Sequence, residues 1–101
     1  MEEARQGPLT EAMFYTLLVL SRRDVCGTEI AQLVEQKTDG RVRLGPGTLY
    51  TILGRFLEEG RIEETEVEGR RRTYRMTSAG RELYAAELER LRRCLSDAED
   101  A

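Results

Sequence analysis

The stretch Leu44–Gly60, LGPGTLYTILGRFLEEG, decides the reading of the whole chain. Gly45 suits a helix N-cap, Pro46 suits the first helical position, where a backbone N–H would find no intrahelical partner, and Gly60 suits a left-handed stop. Between these ends Leu49, Ile52, Leu53, Phe56 and Leu57 recur at i, i+3, i+4, i+7 and i+8, so one face of the predicted helix belongs to a core. Thr48, Tyr50, Thr51, Gly54 and Arg55 are left facing outward or sideways. A helix that only packs does not need such a face.

Downstream, RIEETEV (61–67) and RRTYRMT (71–77) alternate with period two around the turn EGR, which predicts a two-stranded hairpin. Tyr74 and Met76 share one face, and Arg71, Thr73 and Arg75 the other. Three consecutive arginines, Arg70, Arg71 and Arg72, crowd the hairpin tip and repel one another unless something anionic relieves them. Thr77 is positioned to cap a last helix from about Ser78 to Asp97, with Tyr84, Leu88, Leu91 and Leu95 spaced by four, three and four residues. That seam extends beyond what a small domain covers, so it predicts self-association, with Leu17 of the first helix as a further contact. The tail SDAEDA is expected to fray.

Upstream, Thr10 is the N-cap of a predicted helix to Ser21, with Met13, Leu17 and Leu20 at helical spacing. The segment CGTEIAQLVEQKTDG gives a second, shorter helix with Ile30, Leu33 and Val34 on one face and Gly40 as its stop. A basic connection, RVRL, carries Arg43 into the central stretch.

Composition limits the function classes. With 101 residues the chain makes one small domain, and its 40% apolar and 35% charged residues suit a folded protein with a highly charged surface. No apolar run reaches membrane-spanning length, and the acidic start MEEARQG is neither a secretory signal nor a transit peptide, so a cytoplasmic protein without a membrane partner is expected. The two cysteines, Cys26 and Cys94, are far apart, and the chain has no histidine to complete a metal site or a Cys-His pair. No nucleophile-base pair, phosphate loop or metal constellation is present, so neither an enzyme nor a cofactor is expected. The net charge of −3 counts against nucleic acid, but between Lys37 and Arg75 basic residues outnumber acidic ones and the acidic excess lies at the ends. Screening over about 8 Å at physiological salt lets a local basic face act on an acidic protein.

Helix, helix, helix, hairpin and long helix is the order of a winged helix-turn-helix with an appended dimerisation helix, a mainly α fold with a small β-hairpin. Residues 1–77 would form the DNA-binding domain and 78–101 the dimerisation helix and acidic tail. In that geometry the third helix enters the major groove and the wing reaches the backbone or the minor groove. Thr48, Tyr50, Thr51 and Arg55 then face bases and phosphates, with Arg43 and Arg70–Arg72 as further DNA contacts.

The combination PLTEAMFYTLLVL, GTEIAQLVE, LGPGTLYTILGRFLEEGRIE and RRRTYRMTSAGREL resembles the PadR family of bacterial winged-helix transcriptional regulators, in its short form with one C-terminal helix. The resemblance runs from Leu9 to about Leu95 and is most specific in PGTLY and YRMTSAGREL. It implies a homodimeric repressor on a palindromic operator, released by a small hydrophobic or aromatic effector, with Tyr50 as the family's recognition-helix tyrosine and Arg70–Arg72 as its basic wing. Phe14, Tyr15 and Tyr84 are candidates to line an effector pocket between the first and last helices. One departure stands out: members commonly open the second helix with His-Gly-Tyr, whereas this chain has Cys26 and Thr28 at the His and Tyr positions. The alternative from another class is a protein-interaction module that docks a partner through its winged helix and binds DNA weakly or without specificity.

Overall fold

The computed structural model describes residues 7–100. The expectation drawn from the first residues, that they carry no leader, lies mostly outside this range. Four helices and three strands follow one another as α1 (Glu11–Arg22), β1 (Val25–Cys26), α2 (Gly27–Lys37), α3 (Pro46–Glu58), β2 (Ile62–Glu68), β3 (Arg71–Met76) and α4 (Ser78–Glu99). The winged helix-turn-helix is therefore present, with the hairpin as its wing.

Local chemistry sets the boundaries. Thr10 caps α1 by accepting the Met13 amide at 3.1 Å. The end of α2 is closed by Gly40, whose N–H reaches the Glu35 carbonyl at 2.8 Å from a left-handed conformation (φ +79). At α3, Gly45 is the N-cap and Pro46 the first residue, as the sequence predicts. The tip of the wing turns at Gly69 (φ +60).

One core holds these elements together. Leu17, Ile30, Val34, Leu53, Phe56 and Ile62 are buried in it, and the stripe Leu49, Ile52, Leu53 and Phe56 fixes α3 against the other helices while Leu57 is half-buried. Leu17 is a correction to the sequence reading. It has no exposed surface and packs among α1's neighbours, so it cannot touch a second copy.

The sheet is a second correction: it has three strands in the order β1-β3-β2, not two. Val25 pairs with Tyr74 and Cys26 with Thr73, so the start of α2 is tied to the returning strand of the wing. A bulge between Glu64 and Glu66 leaves Thr65 unpaired and shifts the β2 register.

The junction between wing and last helix explains the motif YRMTSAGREL. Thr77 caps α4 by accepting the Gly80 amide at 3.1 Å and donates its hydroxyl to the Gly60 carbonyl at 2.6 Å. Its own N–H meets the Arg61 carbonyl at 3.0 Å. Gly80 sits so close to that strand that a Cβ would overlap the Arg61 carbonyl oxygen and lie 2.9 Å from Met76 Cγ. Only glycine allows this approach.

Along α4 the packing differs from the predicted seam. Leu83 and Glu87 are buried against the domain, Tyr84 and Leu88 are half-buried, and Leu91 and Leu95 are 39% and 60% exposed. The helix also continues to Glu99, through most of the tail expected to fray.

Candidate nucleic-acid interface

Burial of one stripe of α3 turns the other stripe outward. Thr48, Tyr50, Thr51 and Arg55 are all exposed, and so are Arg43, Arg70, Arg71 and Arg72. Tyr50 leans over the first residue of α2, its hydroxyl 3.5 Å from the point that a Cβ on Gly27 would occupy. The same surface is completed by the wing: Tyr50, Gly27, Thr28 and the three arginines Arg70–Arg72 line one cavity of about 170 Å³. Helix α3, the wing and the N-terminus of α2 thus converge on one side of the molecule. Thr48, Thr51 and Arg55 line a neighbouring groove between α3 and the start of α1.

Electrostatically the face is basic but loosely self-paired. Arg55 meets Glu59 at 3.0 Å, Arg72 meets Glu64 at 2.9 Å, Arg71 approaches Glu29 at 3.8 Å and Arg43 approaches Glu35 at 4.0 Å. Arg70 has no carboxylate partner among the described residues. Exposed pairs of this kind contribute about 0–1 kcal/mol each, so a phosphate can compete for every one of these guanidinium groups. A helix N-terminus in the middle of the face adds backbone N–H groups suited to an anion.

A model of the transcriptional regulator PadR-like family matches residues 16–86, which takes in the second half of α1, all of α2 and α3, the entire wing and the first turns of α4. The chain belongs to this family. Among relatives of the PadR-like chain, an uncharacterized 37.1 kDa protein in transposon TN4556 of Streptomyces fradiae is 34% identical over 83 residues, covering 82% of this chain and 24% of that protein. The chain therefore spans about a quarter of that relative's length. A transcriptional regulator from Clostridium thermocellum superposes with a TM-score of 0.77 at 28% identity, covering 87% of this chain and 89% of the other. Bacillus subtilis PadR, solved in complex with operator DNA, superposes with a TM-score of 0.69 at 18% identity over 80% of this chain and 48% of its own.

Two residues at which the chain departs from the usual PadR pattern prove to be neighbours. Cys26 Sγ lies 3.0 Å from the Thr28 hydroxyl. That hydrogen bond, together with the Arg71 guanidinium, holds the Cys26 thiol below its usual range against the opposing effect of burial. Spacing alone could not show this, because Arg71 arrives from the wing through the β1-β3 pairing.

The PadR-like chain also gathers the aromatic residues of the expected effector pocket. Phe14 stacks on Tyr84 with ring centroids 5.6 Å apart and meets the edge of Tyr15 at 5.2 Å. Tyr15 accepts a hydrogen bond from Arg41 at 3.2 Å. Phe14 and Tyr15 line a cavity of about 240 Å³ with Leu9, Glu87, Arg90 and Leu91, whereas Tyr84 stands behind Phe14 rather than on the wall. Sequence reasoning missed Glu87. It is 6% exposed, it is held by Arg90 at 2.6 and 3.1 Å, and this pairing lowers its pKa against the effect of burial. Its only sequence signal was an arginine three residues on, at helical spacing.

Proposed function

We propose that this protein is a homodimeric, sequence-specific DNA-binding repressor whose α3 enters the major groove while its wing holds the phosphate backbone. The observation that carries the reading is the convergence of Tyr50 from α3, Arg70–Arg72 from the wing and the N-terminus of α2 on one surface. Thr48, Tyr50 and Thr51 reach base edges or phosphates, Arg55 pairs with guanine or a phosphate, and Arg43 adds a backbone contact. Family membership supports this, as does the fold shared with a PadR protein solved on operator DNA.

Residues 1–77 form the DNA-binding unit and 78–101 the dimerisation helix, with Leu91 and Leu95, bare in one copy, covered by the second, and Tyr84 and Leu88 at the edge of the contact. Twofold symmetry then calls for a palindromic operator. A small hydrophobic or aromatic effector enters beside Phe14 and Tyr15 and shifts α4 against α1, which weakens DNA binding. The protein acts in the cytoplasm.

The test is a titration of the DNA upstream of the protein's own gene over a range of salt, beside a scrambled sequence. Specific binding should be tighter by about 10³ or more, and its logarithm should fall linearly with that of the salt concentration. Equal affinity for both DNAs would remove specific repression. Replacing Arg70–Arg72 by alanine should flatten the slope by up to about 0.9 for each phosphate no longer neutralised. An unchanged slope would remove the wing from the mechanism.

A further inference from the structure

We propose that the acidic end of α4 docks in the groove between α1 and α2 of a second copy, so that each protomer of the dimer holds its partner's tail. The inference rests on the homodimer proposed above and names the surface that covers Leu95.

The groove is an apolar slot with a basic rim. Leu18 and Leu33 lie half-buried in it beside Val19, and Arg22, Arg23 and Lys37 stand exposed around them. None of these three cations has a carboxylate partner among the described residues. The slot holds about 160 Å³, too little for a typical small-molecule pocket of roughly 300–1,000 Å³ but suited to one aliphatic side chain. It uses the second half of α2, away from the Gly27 end that joins the wing surface.

The end of α4 carries the complementary pattern. Leu95 is 60% exposed, and Asp97, Glu99 and Asp100 follow it with no basic residue in the last turn. Carboxylates at a helix C-terminus oppose the macrodipole, so this turn gains from a cation brought by another surface. The spacing also matches. Leu18 precedes Arg22 and Leu33 precedes Lys37 by one helical turn, and Leu95 precedes Glu99 by the same interval. An aliphatic contact and an ion pair thus fall one turn apart on all three helices.

The chain's own groove is out of reach of its own tail. Helices α1 and α4 run antiparallel: Tyr84 stacks on Phe14, whereas Glu87 and Leu91, later in α4, share a cavity with Leu9, which precedes α1. From that stack α1 runs about 12 Å to Arg22, and α4 runs about 22 Å the opposite way to Glu99. The occupant of the groove is therefore a second copy, and twofold symmetry forms the contact twice.

Two double variants test the contact by sedimentation equilibrium. Arg22→Glu with Lys37→Glu reverses the charge of the groove, and Asp97→Lys with Glu99→Lys reverses that of the tail, in the sense that favours a helix C-terminus. Each variant alone sets like charges against each other, and its dimer should weaken about tenfold or more at low salt. An equimolar mixture of the two should recover an affinity within about threefold of the wild type, because in the mixed pair each groove meets a tail of opposite charge. A contact within one chain, or a variant that had lost its fold, gives no such recovery. Two weak variants that stay apart on mixing would overturn the proposal. Variants that dimerise as tightly as the wild type would also overturn it while leaving the dimer itself standing, whereas a wild type that stays monomeric at every concentration would remove the dimer as well. Loss of DNA affinity by the groove variant at unchanged dimer affinity would assign these cations to the phosphate backbone instead.

Discussion

Helices α3 and α4 both carry an apolar stripe, but they dispose of it differently. On α3 the residues Leu49, Ile52, Leu53 and Phe56 are all buried inside one chain, and the opposite side is polar and open. On α4 the apolar positions run from Leu83, which is buried, to Leu95, which is 60% exposed, so the stripe outlasts the domain that begins it. Periodicity reports which face of a helix is apolar. It says nothing of whether the covering surface comes from the same chain.

Substitutions can break or sharpen this contrast. The largest effect is expected at the centre of α3, where Phe56→Ala should cost about 3–5 kcal/mol in urea unfolding, because a fully buried ring leaves a cavity that its neighbours cannot close. A loss below about 1 kcal/mol would mean that α3 is not held by its core. Next comes Gly80→Ala at the root of α4, expected to cost about 1–3 kcal/mol through the clash with the Arg61 carbonyl. Thermal melting followed by circular dichroism reads it, and an unchanged melting temperature would disprove the close approach.

Glu87→Gln tests the buried half of α4 through pH. Arg90 holds the folded-state pKa of Glu87 below its unfolded value, so the pair stabilises the fold above about pH 4.3 and loses this effect as pH falls through the depressed folded value. The variant should be less stable than wild type near neutrality and lose less on acidification; parallel acid-unfolding curves would argue against the pairing. Smallest in stability is Leu95→Ala, expected to change the unfolding free energy of the isolated chain by no more than about 0.5 kcal/mol. The same variant should nevertheless weaken self-association in analytical ultracentrifugation, and a dimer of unaltered affinity would place the interface elsewhere.

Most of the helical framework was legible because its signals are local. Thr10, Gly40, Gly45, Pro46 and Gly60 mark ends through their own backbone chemistry, and Thr77 marks the start of α4. What escaped was tertiary. Val25–Cys26 is too short to show an alternating pattern, so β1 becomes visible only once β3 lies beside it. Leu17 has the spacing of an apolar helix face, and sequence cannot distinguish a core from an interface there. Glu87 reads as a solvated charge until its burial against the domain and its two hydrogen bonds from Arg90 are seen. In the candidate interface, the residues of α3 and the arginines of the wing were readable from pattern. Their meeting with Cys26 and Tyr74 depends on β1 and was not.

The close approach at Gly80 also sets a geometry. Because α4 is pressed onto the Arg61 carbonyl and latched by Thr77, the direction of the whole helix, 22 residues and about 33 Å from its packed first half to its open end, is set at its first turn. A change of about 5° in that direction carries the open end of such a helix through about 3 Å. In an assembly joined at the free ends, the separation of the two wings is thus governed at the opposite end of the helix, by the absence of one methyl group.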